Sequence, residues 1–206
     1  MRKIIQLTAL FVAIAAIAVS CSDKKKTIEN LKAAITGETN ASATYQAFSA
    51  KAAAEGYYNI AKMFAAASVA EAIHVKNHNA VLVELGKKTF NPTAGEPKVS
   101  TTTDNIQVAI EGETYEYTVM YPEFIEKAIE EEIFEVLNTF VLASAAEATH
   151  AYLYNEALNI LKATGSDETV ASVWYVCPEC GDLFDDIEEL GGCPICGARV
   201  SSFLEF

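Results

Sequence analysis

Asn30 to Thr39 reads NLKAAITGET, and Asn105 to Thr114 in the second half of the chain reads NIQVAIEGET. Further on, AEAIH at Ala70 to His74 is answered by AEATH at Ala146 to His150, a pair spaced one position wider than the first. A repeat of this length makes each half one copy of a structural unit, so the fold must be assembled from two like pieces. Within each copy apolar residues recur at helical spacing, as in Leu31, Ala34, Ile35 and Tyr45, or Ile106, Ala109, Ile110 and Met120. The pattern predicts two helices per copy. The first pair covers about 27–56, opened by Thr27 as a cap, and 57–85, closed by Gly86; the second pair covers 104–131 and 132–163. Pro122 falls inside the third helix and is expected to bend it. Pro92, Gly95 and Pro97 make 86–103 too irregular for a tight hairpin and suited to a long crossover.

Each apolar series has a glutamate set into it. Glu38 shares its face with Ile35 and Tyr45, Glu71 with Phe64 and Val75, while Glu113 follows Ile110 and Glu147 follows Phe140 and Ala143. An unpaired buried carboxylate costs several kcal/mol or more, so four of them converging in a core require cations or protons. His74 and His150 each lie three residues beyond a core-facing glutamate, on the same helix face. One Glu from each of two helices plus Glu-x-x-His from each of the other two is the ligand set of di-metal carboxylate bundles. The fold class expected is therefore all-α, a ferritin-like four-helix bundle with one long crossover over residues 27–164. Glu116 is a fifth candidate carboxylate without a counterpart in the first copy, where Ala41 stands, so the site should be asymmetric. A lone Glu-x-x-His on an alanine-rich helix is ordinarily solvated surface; its retention in both copies is what points to metal. His78, one turn after His74, reads as a surface or supporting residue. Tyr45 and Tyr121 read as core aromatics placed to hydrogen-bond the carboxylates. Mixed carboxylate and imidazole donors suit iron or manganese, with a zinc pair as the alternative. Two metals about 3.5 to 4 Å apart would bridge the two oxygens of a peroxide.

After Gly165 the helical pattern stops, and a linker over 165–172 leads to a small domain over 173–206. There Cys177, Cys180, Cys193 and Cys196 form two CxxC pairs with metal-ligand spacing. Iron and zinc both accept four thiolates, and a structural zinc ribbon is the competing reading. A redox bundle next door gives a one-electron, rubredoxin-type iron a purpose. Trp174 and Phe184 are expected to shield that iron from solvent. Asp182, Asp185, Asp186, Glu188 and Glu189 are expected to form a solvated face, suited to docking a basic electron donor.

The other end of the chain is different in kind. Met1, Arg2 and Lys3 precede an apolar run over 4–19, shorter than the roughly 20 residues that span a bilayer. With small residues ahead of Cys21, 1–20 reads as a secretory signal and 21–26 as a tether. The stretch resembles a bacterial lipoprotein signal in which Cys21 is lipidated, although Ala18 stands where such boxes usually carry leucine. An ordinary cleaved signal, or an uncleaved anchor with Cys21 a bystander, is the plainer reading. The expected location is exported, membrane-anchored and on the periplasmic side. At 206 residues and 51% hydrophobic composition the chain can bury a core without disulfides, and its formal charge of -13 argues against a nucleic-acid partner.

From Thr27 to the C-terminus the chain resembles the rubrerythrin family. GET in the first helix, AEAIH, GETYEYTVMYPEF, AEATH and the paired CxxC occur in that family's order. The resemblance implies a non-haem di-iron peroxidase that reduces hydrogen peroxide to water in oxidative-stress defence. By it, Glu38, Glu71, Glu113, Glu116, Glu147 and His150 would hold the irons, His74 would replace Glu116 when one iron shifts on reduction, and Tyr45 and Tyr121 would support them. Glu116 would also relay protons, and the rubredoxin-like Fe(Cys)4 centre would return electrons one at a time. The resemblance further implies a head-to-tail homodimer, one subunit's thiolate centre lying near the other's di-iron site. Familiar members are cytoplasmic, so an exported form calls for a membrane-associated or extracytoplasmic electron donor. The segment after Glu38 departs from the commoner arginine-bearing version, which bears on substrate access. A ferroxidase or iron-storage protein uses a similar bundle but would not need the four cysteines. An electron carrier with a merely structural bundle would leave the inward glutamates unexplained.

Overall fold

A computed structural model describes residues 25–206. Cys21 and the expected signal segment lie outside the described residues. Among the described residues no helix is long and apolar enough to cross a membrane. Helices α1 (Lys25–Glu55) and α2 (Tyr58–Glu84) form one antiparallel pair; α3 (Thr102–Tyr115), α4 (Tyr121–Glu130) and α5 (Leu137–Thr164) make up the second half. α1 packs chiefly on α2 and α3 on α5, with the irregular segment 85–101 crossing between the pairs. This is the ferritin-like four-helix bundle.

Local chemistry sets the helix ends. The α1–α2 turn passes through Gly56 at φ +89°, a left-handed conformation that costs glycine little. Thr101 caps α3 by accepting a hydrogen bond from the Asp104 amide at 3.2 Å. Thr27 is not a cap. α1 begins at Lys25, and the Thr27 amide donates to Glu131 Oε2 at 2.9 Å. The first amides of α2 find a partner far along the chain: Asn59 and Ile60 donate to Asp167 Oδ2 at 2.7 and 3.1 Å, tying the linker to the bundle.

The third helix differs from the expected single bent rod. Between α3 and α4 lies a π-helical turn, Glu116–Met120. Residues 115–120 separate Thr114 from Tyr121, whereas only 40–44 separate Thr39 from Tyr45. The second copy thus carries one extra residue, which a π turn absorbs without breaking the rod. This is why AEAIH and AEATH stand one position further apart than the two GET segments do. Pro122 sits in the first turn of α4, where a missing amide hydrogen is tolerated. The last helix starts later than the expected residue 132. Glu132 adopts φ +54° to end α4, and a 3₁₀ turn over Phe134–Val136 leads into α5.

The core is divided. One cluster holds Tyr45, Phe48, Phe64, Ile110 and Tyr154; the other holds Leu31, Ile35, Leu82, Tyr121 and Phe140. Glu38, Glu71, Glu113 and Glu147 are all fully buried between them along the chain. The small domain is a three-stranded antiparallel sheet in the order β2-β1-β3, with β1 at Tyr175–Val176, β2 at Leu183–Phe184 and β3 at Leu204–Glu205. Trp174 does not shield the cysteines as expected: its ring belongs to the bundle's core cluster and anchors the domain there. Phe184 does pack beside them, stacked on Phe203 at 5.0 Å between centroids.

Candidate metal centre

Two overlapping groups of donors meet at the middle of the bundle. Glu38, Glu71, His74 and Glu147 form one, and Glu71, Glu113, Glu147 and His150 the other; within each, the nearest ligand atoms lie within 4.8 Å of one another. Glu71 and Glu147 belong to both, which is the arrangement needed to bridge two ions. His74 Nδ1 lies 3.1 Å from Glu71 Oε2 and 2.9 Å from Glu147 Oε1, and His150 Nδ1 lies 2.9 Å from Glu147 Oε2.

These atoms are not satisfied by one another. Glu38 Oε2, Glu71 Oε1 and Glu113 Oε2 are buried without a hydrogen-bond partner, and the close approaches of Glu147 to the His74 and His150 rings are not aligned as hydrogen bonds. Orphaned polar atoms are costly in a core, and cations at the two groups would satisfy them together. Electrostatics says the same. Burial, then the neighbouring Glu147 and Glu71, holds the Glu38 carboxyl well above the usual range. Burial, Glu71 and Glu147 do likewise to Glu113. Burial works against a charge on His74 and His150, but the surrounding carboxylates prevail and raise both. Glu147 is held below its ordinary range despite burial, because both imidazoles face it. Without cations the site must keep protons.

The supports come from the opposite copy of the repeat. Tyr45 donates to Glu113 Oε1 at 2.6 Å, and Tyr121 donates to Glu38 Oε1. Each half's tyrosine therefore holds the other half's glutamate. Glu116 lies outside both groups. It sits half-buried on the π turn with its Oε1 beside Gly37, close enough to Glu38 that burial and this carboxylate raise its own ionisation range. His74, rather than Glu116, therefore completes the first group. The two groups match donor for donor across the repeat, so the expected asymmetry is not in the donor sets and rests only on Glu116 standing beside one of them.

The four cysteines converge at the other centre. Cys177 and Cys196 sulfurs are 3.5 Å apart, as are those of Cys180 and Cys193, far beyond the roughly 2.05 Å of a disulfide. Four sulfurs about 2.3 Å from one ion sit about 3.8 Å apart, so the spacing suits a tetrahedral site. Two knuckles build it. The Cys177 carbonyl accepts from the Gly181 amide at 2.9 Å, and the Cys193 carbonyl from the Gly197 amide at 2.9 Å, with both glycines at positive φ. Hydrogen bonding from Cys180 draws Cys177 down to about 5, whereas burial pushes Cys193 up to about 11. The Cys177 thiolate forms readily, whereas Cys180 and Cys193 need a cation.

The two centres touch. His74 Nε2 donates to the Cys180 carbonyl at 2.8 Å, and His150 Nε2 donates to the Gly181 carbonyl at 3.0 Å. These bonds fix both rings with Nδ1 free to face the carboxylates. The expected head-to-tail pairing would bring a partner's thiolate centre to this seat; here the chain's own knuckle fills it. Nothing local in sequence pointed to this contact, since Cys180 and His74 are far apart along the chain. Of the two readings of His78, the supporting one holds: it is fully buried, and its ring bonds Tyr121 and Thr139, each at 2.9 Å. One further expectation is corrected. Asp182 is buried against Cys193, leaving Asp185, Asp186, Glu188 and Glu189 as the exposed acidic face.

Fold and site together define a di-iron carboxylate bundle joined to a four-cysteine domain consistent with a rubredoxin-like iron. Comparison with known proteins sharpens the class. The Rubrerythrin family pattern matches residues 29–158, and the chain belongs to the rubrerythrin family. It is 39% identical to nigerythrin of Nitratidesulfovibrio vulgaris over 180 residues, covering 87% of this chain and 86% of that one. It is 37% identical to rubrerythrin-2 of Clostridium acetobutylicum, covering 87% of this chain and 96% of the relative. A solved structure of fully reduced, all-ferrous nigerythrin superposes with a TM-score of 0.78 at 34% identity, covering 100% of both chains. Members of the family are oxidoreductases, and the chain is a di-iron protein of the oxidative-stress class.

Proposed function

We propose that this chain reduces hydrogen peroxide to water, with electrons supplied through its own four-cysteine domain. The observation that carries the reading is the pair of hydrogen bonds from His74 and His150 to the Cys180–Gly181 knuckle. Iron storage would have no use for them. Two irons held by Glu38, Glu71, His74, Glu113, Glu147 and His150 would supply two electrons to the O–O bond, and a thiolate-held iron would restore them singly. The chain's residues do the rest. From the Cys180 sulfur, bonds run through its own carbonyl to His74 Nε2, so the two centres are joined by one residue, one hydrogen bond and one ring. Tyr45 and Tyr121 orient Glu113 and Glu38. The two apolar clusters keep bulk water off the carboxylates. Glu116, beside the site and disposed to hold a proton, is placed to hand one to a leaving oxygen.

The chain is further proposed to be exported and held at a membrane by a lipid on Cys21, from the sequence pattern around that residue. Its donor would then be membrane-associated or extracytoplasmic, docking on the acidic face at Asp185, Asp186, Glu188 and Glu189. Cys21→Ser should move the protein from the membrane to the soluble fraction. Activity with a purified soluble NADH reductase and none with membranes would count against this donor. A head-to-tail homodimer that exchanges the 173–206 domain would preserve the same knuckle seat.

Prereduced protein should consume hydrogen peroxide in rapid single-turnover assays. Glu116→Ala should abolish the reaction, and Cys177→Ser should slow the multiple-turnover rate. Dioxygen uptake with growth of an iron core, and no peroxide consumption, would replace the reading with storage.

A further inference from the structure

His78 has no place in the chemistry described so far, yet it is a fully buried polar side chain with both ring nitrogens bonded. We propose that it is the middle member of a proton relay running from the cleft beside the four-cysteine domain, through Thr139, His78 and Tyr121, to Glu38. Its purpose rests on the peroxide reading, since splitting peroxide into two waters takes two protons as well as two electrons.

The direction follows from the inner end. Tyr121 gives its only hydroxyl proton to Glu38 Oε1, so toward His78 Nε2, 2.9 Å away, it can only accept. His78 Nε2 must therefore carry a hydrogen. Burial, with His74 nearby, draws the ring's ionisation down to about 3, so it is neutral and its Nδ1 is bare. Thr139 Oγ1, 2.9 Å from Nδ1, must then be the donor there. Every hydrogen in the row points toward Glu38.

The outer end meets solvent. Thr139, itself 7% exposed, lines a cleft of about 570 Å³ shared by α2, α5 and the cysteine domain, together with Asn77, Asn138, Glu84 and Glu179. A proton delivered to Thr139 Oγ1 from water in this cleft lets the threonine hydrogen pass to Nδ1. The Nε2 hydrogen then passes to Tyr121, and the tyrosine hydrogen to Glu38. One proton enters and one arrives, and no intermediate member ends with a changed charge. The ring is left as the Nδ1–H tautomer.

The repeat supplies an internal control. In the register that matches AEAIH to AEATH, Tyr121 corresponds to Tyr45, His78 to Tyr154 and Thr139 to Met63. The other row also starts with a tyrosine on a glutamate, Tyr45 on Glu113. There it stops. The buried Tyr154 hydroxyl reaches no group beyond Tyr45, and the buried Met63 offers no hydrogen. An aromatic ring thus fills this niche without an imidazole, so packing alone does not call for His78. One half of the bundle is connected to the cleft and the other is closed.

The test uses the full chain loaded with redox-silent zinc, observed by nitrogen NMR of the His78 ring, beside the iron-loaded chain turning over peroxide. The ring should be the Nε2–H tautomer. Thr139→Val, which keeps the shape, should slow solvent exchange of that hydrogen and peroxide turnover each by at least about tenfold, with metal content unchanged, and Thr139→Ser should restore both. His78→Phe, copying the closed row, should slow turnover to the same degree. An Nδ1–H tautomer, or exchange unmoved by Thr139→Val, overturns the relay; so does turnover unmoved by that variant in a chain that reduces peroxide. If the wild-type chain reduces no peroxide while exchange still responds to Thr139, the peroxide reading fails and the relay stands.

Discussion

Gly181 carries two constraints at once. It adopts φ +80°, and a Cβ there would collide with the His74 ring and stand 3.0 Å from the Ala70 carbonyl oxygen. Gly197, its partner in the second knuckle, has φ +78° with open space around it. Gly197→Ala should therefore lose only the backbone term, about 1–2 kcal/mol in thermal unfolding. Gly181→Ala should lose more, and should also slow electron flow between the centres while both still load metal. Equal effects in unfolding and stopped-flow assays would show that the knuckle does not need its seat on α2. The four glutamates and two histidines were legible in sequence because each departs from an apolar period at a fixed step from the next donor. Other contacts were not. His78 bonds residues 43 and 61 positions away, and Asp182 looked like one more surface acid until the knuckle folded it inward.

At the scale of elements, the π turn takes up the extra residue of the second copy and carries Glu116. Deleting Thr118 should convert it to ordinary helix with the shorter Glu-to-Tyr spacing of the first copy, so that Tyr121 stays on Glu38 while Glu116 shifts on the rod. Metal content by elemental analysis should hold; loss of metal would mean that the turn itself, and not only the register it preserves, sets the site. This feature was written in the repeat, whose register slips by a single position between GET and Glu-x-x-His, but such a slip does not say where it is absorbed. The helices themselves were legible from periodicity, whereas the start of α2 depends on Asp167, more than a hundred residues away. Asp167→Ala should cost about 1 kcal/mol and loosen the linker, as read by thermal unfolding and amide exchange at Asn59 and Ile60.

For the molecule as a whole, stability and metal content should respond to pH in opposite senses. In the metal-free chain Glu38, Glu113 and Glu116 ionise above their ordinary 4.5, and His74 and His150 above 6.5. A raised value in the folded state adds stability below the unfolded value and loses it as pH rises through the folded one. Glu147, lowered from 4.5, acts in the opposite sense, but only below that value. From about pH 5 to 8 the stripped chain should therefore melt at progressively lower temperature. The loaded chain should diverge upward, because its donors bind only once deprotonated. Parallel melting curves for chelated and reloaded protein would refute the buried-proton account. The crossed supports, Tyr45 on Glu113 and Tyr121 on Glu38, carry a last consequence. Neither half can finish its own pocket, yet only the 85–101 segment connects them in the chain. A protease nick there should leave two fragments that still clasp one another around a common pair of ions, and that part only when those ions are withdrawn.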